Sequence, residues 1–303
     1  MLLELISKNT LIEKDQVLDI ANKASISYAR FTIPKKDGSQ RLIYQPSMAI
    51  RALQKVVYDR VLDELPVHDA CYAYRKGRGL KEHASIHRNS KYLLRIDLKD
   101  FFESITRSDI EKYCNEYVSK VFPLFNQDDF NLMINIVCRK DTITIGSVTS
   151  PSLSNSICYN LDEKISRLSG SYGVRYTRYA DDMFFSTTNK NVLKIIQKGV
   201  SNIIKNLDYP KLTINNKKTR HSSKKNRMSV TGVVITVDKK LSIGRDKKRF
   251  IRGQVYNWNT LSIEEKSYLS GYLSFVKSVE PSYINRLCDK YSSQVIQEIL
   301  RFS

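Results

Sequence analysis

Two adjacent carboxylates, Asp181 and Asp182, lie in the middle of the aromatic run YTRYADDMFFS, which begins at Tyr176. Like charges side by side repel each other, so keeping both ionised in a partly buried site requires a compensating cation. A third carboxylate, Asp97, ends the strand-like run YLLRID. If the three converge, they can hold two Mg²⁺ ions about 3.5–4 Å apart, which suits phosphoryl transfer. The alternative is a surface hairpin turn, where aspartate is favoured.

The charge of the chain favours a polyanionic partner. Its 303 residues include 50 Lys and Arg against 31 Asp and Glu, which gives a net charge of +19. Such an excess is typical of proteins that bind nucleic acid, although a generally basic surface has the same count. The basic residues cluster in the segments 211–227 and 238–252, each of which holds seven Lys or Arg. This clustering favours nucleic acid.

The cysteines and the apolar runs argue against several classes of protein. Five cysteines are scattered without a C-x-x-C pair, which argues against a disulfide framework and a structural zinc site. His83 and His87 have the spacing of a metal pair on a helix, but no third ligand is evident. The N-terminal residues do not have the pattern of a signal peptide, and no run of about eighteen apolar residues occurs, so we expect a cytoplasmic protein without a membrane span.

Strands and helices must position the three carboxylates. Asp97 ends a predicted strand, and a tight connection at Ala180 and Asp181 joins two more. Ser150 is a predicted N-cap with Pro151 at the first helical position, where its missing N–H costs nothing. The predicted elements are a helical segment at 1–30, two strands within 31–46, a helix at 47–65, a strand at 92–97, helices within 108–140, a helix at 150–170, two strands within 172–187, a helix at 190–207, a hairpin within 227–244 and helices from 245 onward.

Five ordered motifs resemble those of reverse transcriptases, and within that superfamily those of the bacterial retron type. Asp97 matches the first palm aspartate and is followed by a pair of phenylalanines. YADD at 179–182 matches the Y-x-D-D box, and GSVTSPSLSN at 146–155 is similar to Q-G-x-x-x-S-P-x-L-x-N. LTINNKKT at 212–219 resembles a segment with a K-T pair, and VTG at 230–232 resembles a box of retron enzymes. The resemblance covers nearly the whole chain.

Two positions depart from the family pattern. Ile145 stands where the family usually has Gln, which removes a side chain that can contact template or nucleotide. His83 stands where the retron N-A-x-x-H box has Asn, while His87 keeps the histidine of that box. The resemblance places His87 among the RNA-binding residues.

The resemblance implies an α+β, right-hand polymerase fold with fingers, a ferredoxin-like palm and a helical thumb. The N-terminal part of the fingers is expected at 1–93. The palm is expected at 94–238, with a helical, fingers-like insertion around 108–145. The thumb is expected at 239–303 and binds RNA or duplex.

The resemblance assigns the chemistry to three aspartates and one lysine. Asp97, Asp181 and Asp182 are implied to hold two Mg²⁺ ions, for which Mn²⁺ can substitute, and Leu98 is a further metal-site position. Lys218 matches the position of a general acid toward pyrophosphate. The alternative for Lys218, in so basic a segment, is attraction of the nucleic-acid backbone.

A second group is implied to bind the incoming nucleotide. Phe102, five residues after the first palm aspartate, matches an aromatic ring that leaves no room for a 2′-OH; the alternative is a core phenylalanine. Arg41 resembles the fingers arginine that binds the triphosphate, since its planar fork suits phosphate oxygens. Lys35 is a secondary candidate, for which the alternative is a solvated turn. Gly146 and Ser147 complete the group.

A third group is implied to contact primer, template or RNA. Tyr179 is expected near the primer end, and the basic residues that head the thumb are expected along duplex phosphates. Tyr256 and Trp258 can stack on RNA or pack in the core, and core packing is favoured. The members of the group are Tyr179, His87, Val230, Thr231, Gly232, Lys247, Lys248, Arg249 and Arg252.

We therefore expect an RNA-directed DNA polymerase of the retron type. The resemblance implies that it binds its own structured non-coding RNA, uses dNTPs and primes from a 2′-OH within that RNA. The implied product is branched, RNA-linked single-stranded DNA (msDNA). The resemblance also implies a role in antiphage defence together with an effector protein. The residues by themselves do not reveal the priming chemistry.

Two alternatives stay open at this point. A group II intron-like or other bacterial reverse transcriptase keeps the same chemistry, but we expect no maturase, endonuclease or RNase H extension because the thumb is the last segment of the sequence. An RNA-binding scaffold with a polymerase fold does no chemistry, and its signature is the loss of a metal carboxylate. All three carboxylates are present.

Overall fold

The computed structural model describes residues 1–34 and 38–302, and the chain divides into two compact units. The first unit consists of Met1–Tyr74, Arg95–Met183 and Lys194–Arg220. The second consists of Arg75–Leu94, Phe184–Leu193 and His221–Ser303. This division does not test the limits expected for fingers, palm and thumb, which stay a prediction. Lys35, a predicted nucleotide contact, lies outside the described residues.

The helices account for most of the regular structure and are numbered here in chain order. They are α1 (Leu2–Thr10), α2 (Lys14–Asn22), α3 (Met48–Arg60), α4 (Leu80–His87), α5 (Arg107–Tyr113), α6 (Ser119–Val121), α7 (Gln127–Val137), α8 (Ser150–Ile157), α9 (Tyr159–Ser171), α10 (Val192–Lys205), α11 (Arg245–Tyr256), α12 (Ile263–Val279), α13 (Pro281–Tyr291) and α14 (Ser293–Arg301). A π-helical segment, Cys114–Val118, connects α5 to α6.

The strands form three separate sheets among the described residues. They are β1 (Tyr28–Pro34), β2 (Gln40–Pro46), β3 (Tyr92–Asp97), β4 (Arg175–Tyr179), β5 (Asp182–Thr187), β6 (Arg220–Ser223), β7 (Met228–Val230), β8 (Val233–Ile235) and β9 (Leu241–Ser242). β1 and β2 pair with each other, the second sheet has the order β4-β5-β3-β6, and the third has the order β7-β8-β9.

The four-stranded sheet brings the predicted carboxylates to the ends of neighbouring strands. β3 has Asp97 as its last residue, and its neighbour β5 has Asp182 as its first. Five of the six residues of β5 are buried, so apolar packing fixes the position of this strand. The sequence predicted both strands and the tight connection between β4 and β5, and these predictions are confirmed.

The hairpin of β1 and β2 lies in the first unit. Its strands are antiparallel, in a register that runs from Tyr28 opposite Pro46 to Pro34 opposite Gln40. The backbone N–H of Tyr44 donates to the carbonyl oxygen of Ile145 at 2.9 Å, which ties β2 to the segment before α8. The Tyr44 ring also lies 3.6 Å from the guanidinium carbon of Arg139.

The second unit combines a small antiparallel sheet with the C-terminal helices. The turn between β7 and β8 places both Thr231 and Gly232 at positive φ, of 46° and 86°. α12, α13 and α14 pack on one another through buried apolar side chains. Those side chains are Leu269, Leu273, Val276, Ile284, Leu287, Ile296 and Ile299.

Three sequence predictions about local structure need correction. The helix predicted at 150–170 is two helices, because the chain turns at Cys158 between α8 and α9. α8 begins at Ser150 itself, and the N-cap is Thr149. Trp258 is buried as favoured, but Tyr256 is 79% exposed and is not a core residue. Among the described residues, no helix is both long and apolar enough to cross a membrane.

Candidate active site

Backbone hydrogen bonds join the three segments that carry the predicted catalytic residues. The N–H of Leu98 donates to the carbonyl oxygen of Asp181 at 2.9 Å, which ties the end of β3 to the tip of the β4–β5 hairpin. The N–H of Asn215 donates to the carbonyl oxygen of Asp97 at 2.8 Å. The N–H of Lys99 donates to the carbonyl oxygen of Thr213 at the same distance. The segment with Lys218 is thereby held beside the strand end with Asp97.

A buried ion pair supports the hairpin tip. Arg178 and Asp162 both have fully buried side chains, and two guanidinium nitrogens lie 2.7 and 2.8 Å from the two carboxylate oxygens. A third nitrogen donates to the carbonyl oxygen of Ala180 at 3.2 Å. Ala180 itself has a φ of 54°, a conformation that is uncommon for a residue with a Cβ. Burial alone lowers the pKa of Arg178, but the Asp162 carboxylate holds that pKa well above its usual value.

An open cavity of 460 Å³ lies in front of these segments, entirely within the first unit. Its volume falls in the range of about 300–1,000 Å³ that is typical of small-molecule sites. Carboxylates, cations and aromatic rings all line it. The lining residues are Gln40, Arg41, Leu42, Tyr74, Asp97, Leu98, Lys99, Asp100, Phe101, Phe102, Glu103, Ile145, Ala180, Asp181, Asn215 and Lys218.

Asp97 and Asp181 face the cavity together and are suited to bind a cation. Asp97 is 2% exposed; its Oδ2 accepts a hydrogen bond from Lys218 Nζ at 3.3 Å. Its Oδ1 is buried and has no hydrogen-bond partner among the described residues. Burial raises the pKa of Asp181, and the charge of Asp97 raises it further. A buried carboxylate oxygen without a partner, beside a second carboxylate, fits a hard divalent cation that prefers oxygen ligands.

Asp182 is held apart from this pair. Arg95 Nε donates to Asp182 Oδ1 at 2.7 Å and Arg95 Nη2 donates to Oδ2 at 2.8 Å. Burial raises the pKa of Asp182 to about 6, although the contact with Arg95 opposes that rise. Within residues 1–34 and 38–302, no three His, Cys, Asp or Glu side chains are grouped so as to hold a metal ion. Of the three predicted metal-binding carboxylates, Asp97 and Asp181 line the cavity, whereas both oxygens of Asp182 are paired with Arg95. Metal binding by all three stays a prediction.

The nucleotide-binding predictions divide into two groups. Arg41 and Phe102 line the cavity, and Phe102 is half-buried with its ring tilted on Phe101. Gly146 and Ser147 do not line it. Ser147 is buried, with its hydroxyl 3.0 Å from that of Thr149.

Gly146 has a structural role that the sequence did not predict. Its φ is 105°, and a Cβ at this position would lie 2.4 Å from the carbonyl oxygen of Tyr44. Only glycine fits both conditions, since it has no side chain and adopts positive φ freely. The close approach of β2 depends on this residue, and the neighbouring Ile145 reaches the cavity instead.

Two predicted RNA contacts of the second unit are buried and need correction. His87 is fully buried, with Nδ1 2.8 Å from the Ser186 hydroxyl, so its ring packs inside the unit and does not face RNA. Val230 is also fully buried. Thr231 remains at the turn surface, where its hydroxyl lies 3.3 Å from Nδ1 of the buried His83.

The basic residues of α11 lie on two faces of the helix. Lys248, Arg249 and Arg252 line a cavity of 410 Å³. Three further cations line it as well, namely Arg245, Arg286 and Lys290. Lys248 is paired with Glu280, so its charge is already compensated within the unit. Lys247 lies on the other side, with its ammonium 5.3 Å from the centre of the Tyr272 ring.

Sequence reasoning missed four residues at or beneath the site. Tyr74 lines the cavity, at a φ of 59°, and nothing in its local sequence indicates this role. Arg95 forms an ion pair with Asp182. The sequence did indicate a special role for Arg95, because it is a charged residue within the otherwise apolar run YLLRID. Arg178 is likewise a charged residue within a strand-like run, YTRY. Its partner Asp162 had no such indication, because the helix that carries it was predicted from its apolar residues alone.

Comparison of the sequence with known proteins gives one family and several relatives. A family described as reverse transcriptase (RNA-dependent DNA polymerase) matches residues 33–235. The retron Ec83 reverse transcriptase of Escherichia coli is 31% identical over 299 residues, which cover 94% of this chain and 93% of that protein. The retron Ec86 reverse transcriptase of Escherichia coli is 32% identical over 306 residues, which cover 96% and 91%.

Comparison with solved structures gives the same type of fold. A foamy viral protease-reverse transcriptase in complex with double-stranded DNA has a TM-score of 0.53 at 17% identity, over 90% of this chain and 43% of that one. The apo telomerase of Candida tropicalis has a TM-score of 0.53 at 13% identity, over 91% and 62%. Identities this low show the fold alone. The polymerase fold predicted from the sequence is confirmed.

Proposed function

The chain belongs to the reverse transcriptase family, whose members are RNA-directed DNA polymerases, and from this premise we propose the reaction and the biology of this retron-type enzyme. It copies its own structured non-coding RNA with dNTPs. Synthesis starts from a 2′-OH within that RNA and gives branched, RNA-linked single-stranded DNA. The observation that carries the proposal is the unpartnered Oδ1 of Asp97, which lies beside Asp181 and Lys218 in an open cavity of the described chain.

Reverse transcriptases use divalent metal ions, and we propose Mg²⁺ here, with Mn²⁺ as a substitute. The carboxylates of Asp97 and Asp181 would hold the ions, and the Leu98 carbonyl and Asp182 would be further ligands. When bound, the ions lower the pKa of the attacking hydroxyl and neutralise charge on the triphosphate. For Asp182 to take part, it must leave Arg95, which now holds both of its oxygens.

The remaining residues of the cavity bind and orient the substrates. Arg41 takes the triphosphate, because a planar guanidinium forms paired hydrogen bonds to phosphate oxygens. The Phe102 ring lies where the sugar enters and leaves no room for a 2′-OH, which selects deoxynucleotides. Lys218 supplies a proton to the departing pyrophosphate, since its ammonium already reaches the cavity at Asp97. Tyr179 ends β4 next to the catalytic turn and contacts the primer end.

The decisive experiment measures incorporation of labelled dNTPs on the RNA that co-purifies with the protein. Asp181→Asn removes one charge at the cavity and is expected to abolish synthesis while leaving the RNA bound. Asp208→Asn is the matched control, because that aspartate is an exposed residue of the same unit, paired with Lys112. Equal incorporation by wild type and Asp181→Asn would falsify the metal assignment.

The nature of the product separates the proposal from its alternatives. A debranching nuclease, which cleaves 2′–5′ bonds, shortens a branched product and leaves a 3′-primed product unchanged. A product that resists this nuclease favours an intron-like or other bacterial reverse transcriptase. Tight RNA binding without incorporation by the wild type favours a scaffold.

We further propose that the enzyme acts in the cytoplasm, in defence against phage together with an effector protein. The support is the match to retron relatives over more than nine tenths of the chain. Deleting the gene is then expected to raise phage plaque counts, and the Asp181→Asn variant is expected not to restore protection. Restoration by that variant contradicts a defence role that depends on DNA synthesis.

A further inference from the structure

An exposed aromatic surface lies on α11 and α12 in the second unit. The rings of Tyr268 and Tyr272 are stacked, with centroids 5.9 Å apart and planes 6° from parallel. Phe250 meets Tyr268 edge-on at 6.4 Å, and Phe275 continues the row at 5.9 Å from Tyr272. The ammonium of Lys247 lies over the Tyr272 ring. We call these five residues the tyrosine surface.

The tyrosine surface is not needed for the packing of α12. The core side of that helix is formed by Leu269, Leu273 and Val276, all of which are fully buried. Tyr268 and Tyr272 each precede one of these residues by a single position, so they point about 100° away from the core. Tyr268 is 61% exposed and Phe250 is 47% exposed. Large aromatic side chains that remain in water as a group mark an interaction site.

The charges around the surface match a nucleic acid. α11 carries five cations and one acidic residue, Asp246. Lys247 is the cation that belongs to the surface itself, and Arg249 and Arg252 lie on the same helix. Glu264 and Glu265 lie one turn before Tyr268 and are both negatively charged, but the five cations of α11 outnumber them together with Asp246. A polyanionic ligand with flat rings therefore fits better than an aliphatic protein partner.

Tyr272 supports the row of rings from its middle. Its ring lies between Tyr268 and Phe275 and is partly buried. Its hydroxyl is buried and has no hydrogen-bond partner among the described residues. A ligand at the surface therefore meets the exposed ring of Tyr268 and not the hydroxyl of Tyr272.

We propose that the tyrosine surface binds unpaired nucleobases of a single-stranded nucleic acid. A base stacks on the exposed ring of Tyr268 and meets the Phe250 ring at its edge, since the planes of these two rings are 78° apart. The Lys247 ammonium contacts the adjoining phosphate. Stacking of this kind tolerates any sequence because every base has an aromatic face. The inference rests on the proposed function only in that nucleic acid is the partner of this chain. It assigns unpaired nucleotides to this surface and phosphates alone to the basic cavity at Arg249 and Arg252.

Binding in the absence of dNTPs tests the proposal independently of catalysis. Fluorescence anisotropy is measured with the full chain and three probes: an unstructured pyrimidine RNA, the same strand with abasic sites, and a duplex of equal length. Tyr268→Ala is expected to weaken binding of the unstructured strand on the order of tenfold and to leave the abasic strand and the duplex unchanged. Tyr268→Trp is expected to retain binding. Arg252→Ala is expected to weaken all three, because it removes a phosphate contact.

Several outcomes overturn the proposal. Equal binding of the abasic and the intact strand by wild type excludes stacking. A loss by Tyr268→Ala that is the same for strand and duplex excludes selectivity for unpaired bases. A variant that binds every probe normally but no longer binds a co-purifying protein shows that the surface is a protein-docking site. Tyr268 is exposed, and an unchanged melting temperature of Tyr268→Ala establishes that its fold is intact. The same measurements with Asp181→Asn separate this result from a failure of the polymerase assignment.

Discussion

Arg95 holds both carboxylate oxygens of Asp182, at 2.7 and 2.8 Å, and so keeps the second aspartate of the catalytic turn apart from the cavity that Asp97 and Asp181 share. The Arg95 side chain is 42% exposed, whereas the Asp182 side chain is 17% exposed. Two neighbouring carboxylates therefore have different partners: Asp181 faces the cavity, and Asp182 faces a cation of the adjacent strand.

Replacement of Arg95 by Gln is expected to destabilise the protein in EDTA by roughly 1 kcal/mol. The physical reason is that a mostly buried carboxylate loses its partner, with screening by water at the exposed guanidinium reducing the effect. Added Mg²⁺ is then expected to raise the melting temperature of Arg95→Gln more than that of wild type, because the ion compensates a free carboxylate. Arg167→Gln is the control, since the Arg167 side chain is 79% exposed and its partner Glu163 does not line the cavity. If Mg²⁺ raises the melting temperature of Arg95→Gln and of wild type equally, Arg95 does not compete with the ion for Asp182.

The pair of Arg178 and Asp162 is expected to be important for stability. Asp162→Asn leaves a buried guanidinium without its counter-charge, and the expected loss in free energy of unfolding is about 3–5 kcal/mol. Urea denaturation measures it. The double variant Arg178→Met, Asp162→Leu is expected to recover much of this loss, because neither charge is then buried. It is also expected to lose polymerase activity, since the contact of Arg178 with the Ala180 carbonyl positions the catalytic turn. A double variant as unstable as Asp162→Asn argues against the charge explanation.

Replacement by alanine is expected to lower the stability of the protein at Gly146 and to raise it at Gly170. Gly146→Ala places a Cβ 2.4 Å from a backbone oxygen at a φ of 105°, so we expect a loss of about 1–3 kcal/mol. Gly170 lies within α9, where an added Cβ would meet no described atom outside its own helix within 4 Å, and Gly170→Ala is expected to stabilise by about 0.5–1 kcal/mol. Thermal unfolding of both variants provides the measurement. A neutral Gly146→Ala is incompatible with the close approach of β2.

The sequence was sufficient for the fold and for part of the site. The strand before Asp97 and the hairpin at Ala180 follow from the pattern of apolar residues. The positions of Arg41, Phe102 and Lys218 at the cavity agree with what the resemblance to reverse transcriptases implied. Arg95 and the burial of His87 do not follow, because they depend on which side chains meet across the sheet and within the second unit. A motif fixes the type and order of residues, but the partner of a side chain is set by the tertiary packing.

The Phe102 ring is expected to control the choice of sugar. Phe102→Ala removes the ring from the cavity wall. The preference for dNTP over rNTP is therefore expected to fall by roughly tenfold or more. Phe130→Leu is the control: Phe130 is 6% exposed and does not line the cavity, so the change is expected to lower stability and leave discrimination between dNTP and rNTP unchanged. The measurement is the ratio of kcat/KM for dNTP and rNTP. If Phe102→Ala keeps the wild-type ratio, the ring is a packing residue.

His83 is expected to make the protein less stable in mild acid. Burial lowers the pKa of His83 from 6.5 to about 3, so the ring is neutral in the folded protein. Between these pH values the unfolded chain binds a proton that the folded protein does not. The contribution is therefore fully present above pH 6.5 and is lost as the pH falls toward 3, at a rate on the order of 1 kcal/mol for each pH unit.

The variant His83→Asn isolates this contribution, because Asn does not titrate and can still hydrogen-bond to the Thr231 hydroxyl. Urea unfolding at pH 7 and at pH 5 gives the change in free energy of unfolding for each protein. The wild type is expected to lose more stability between the two values than His83→Asn does, by on the order of 1–2 kcal/mol. The comparison of slopes remains informative even if Asn lowers stability at both pH values, since a packing defect shifts both measurements together. If the free energy of unfolding changes equally with pH in both proteins, His83 is not the cause of the acid sensitivity.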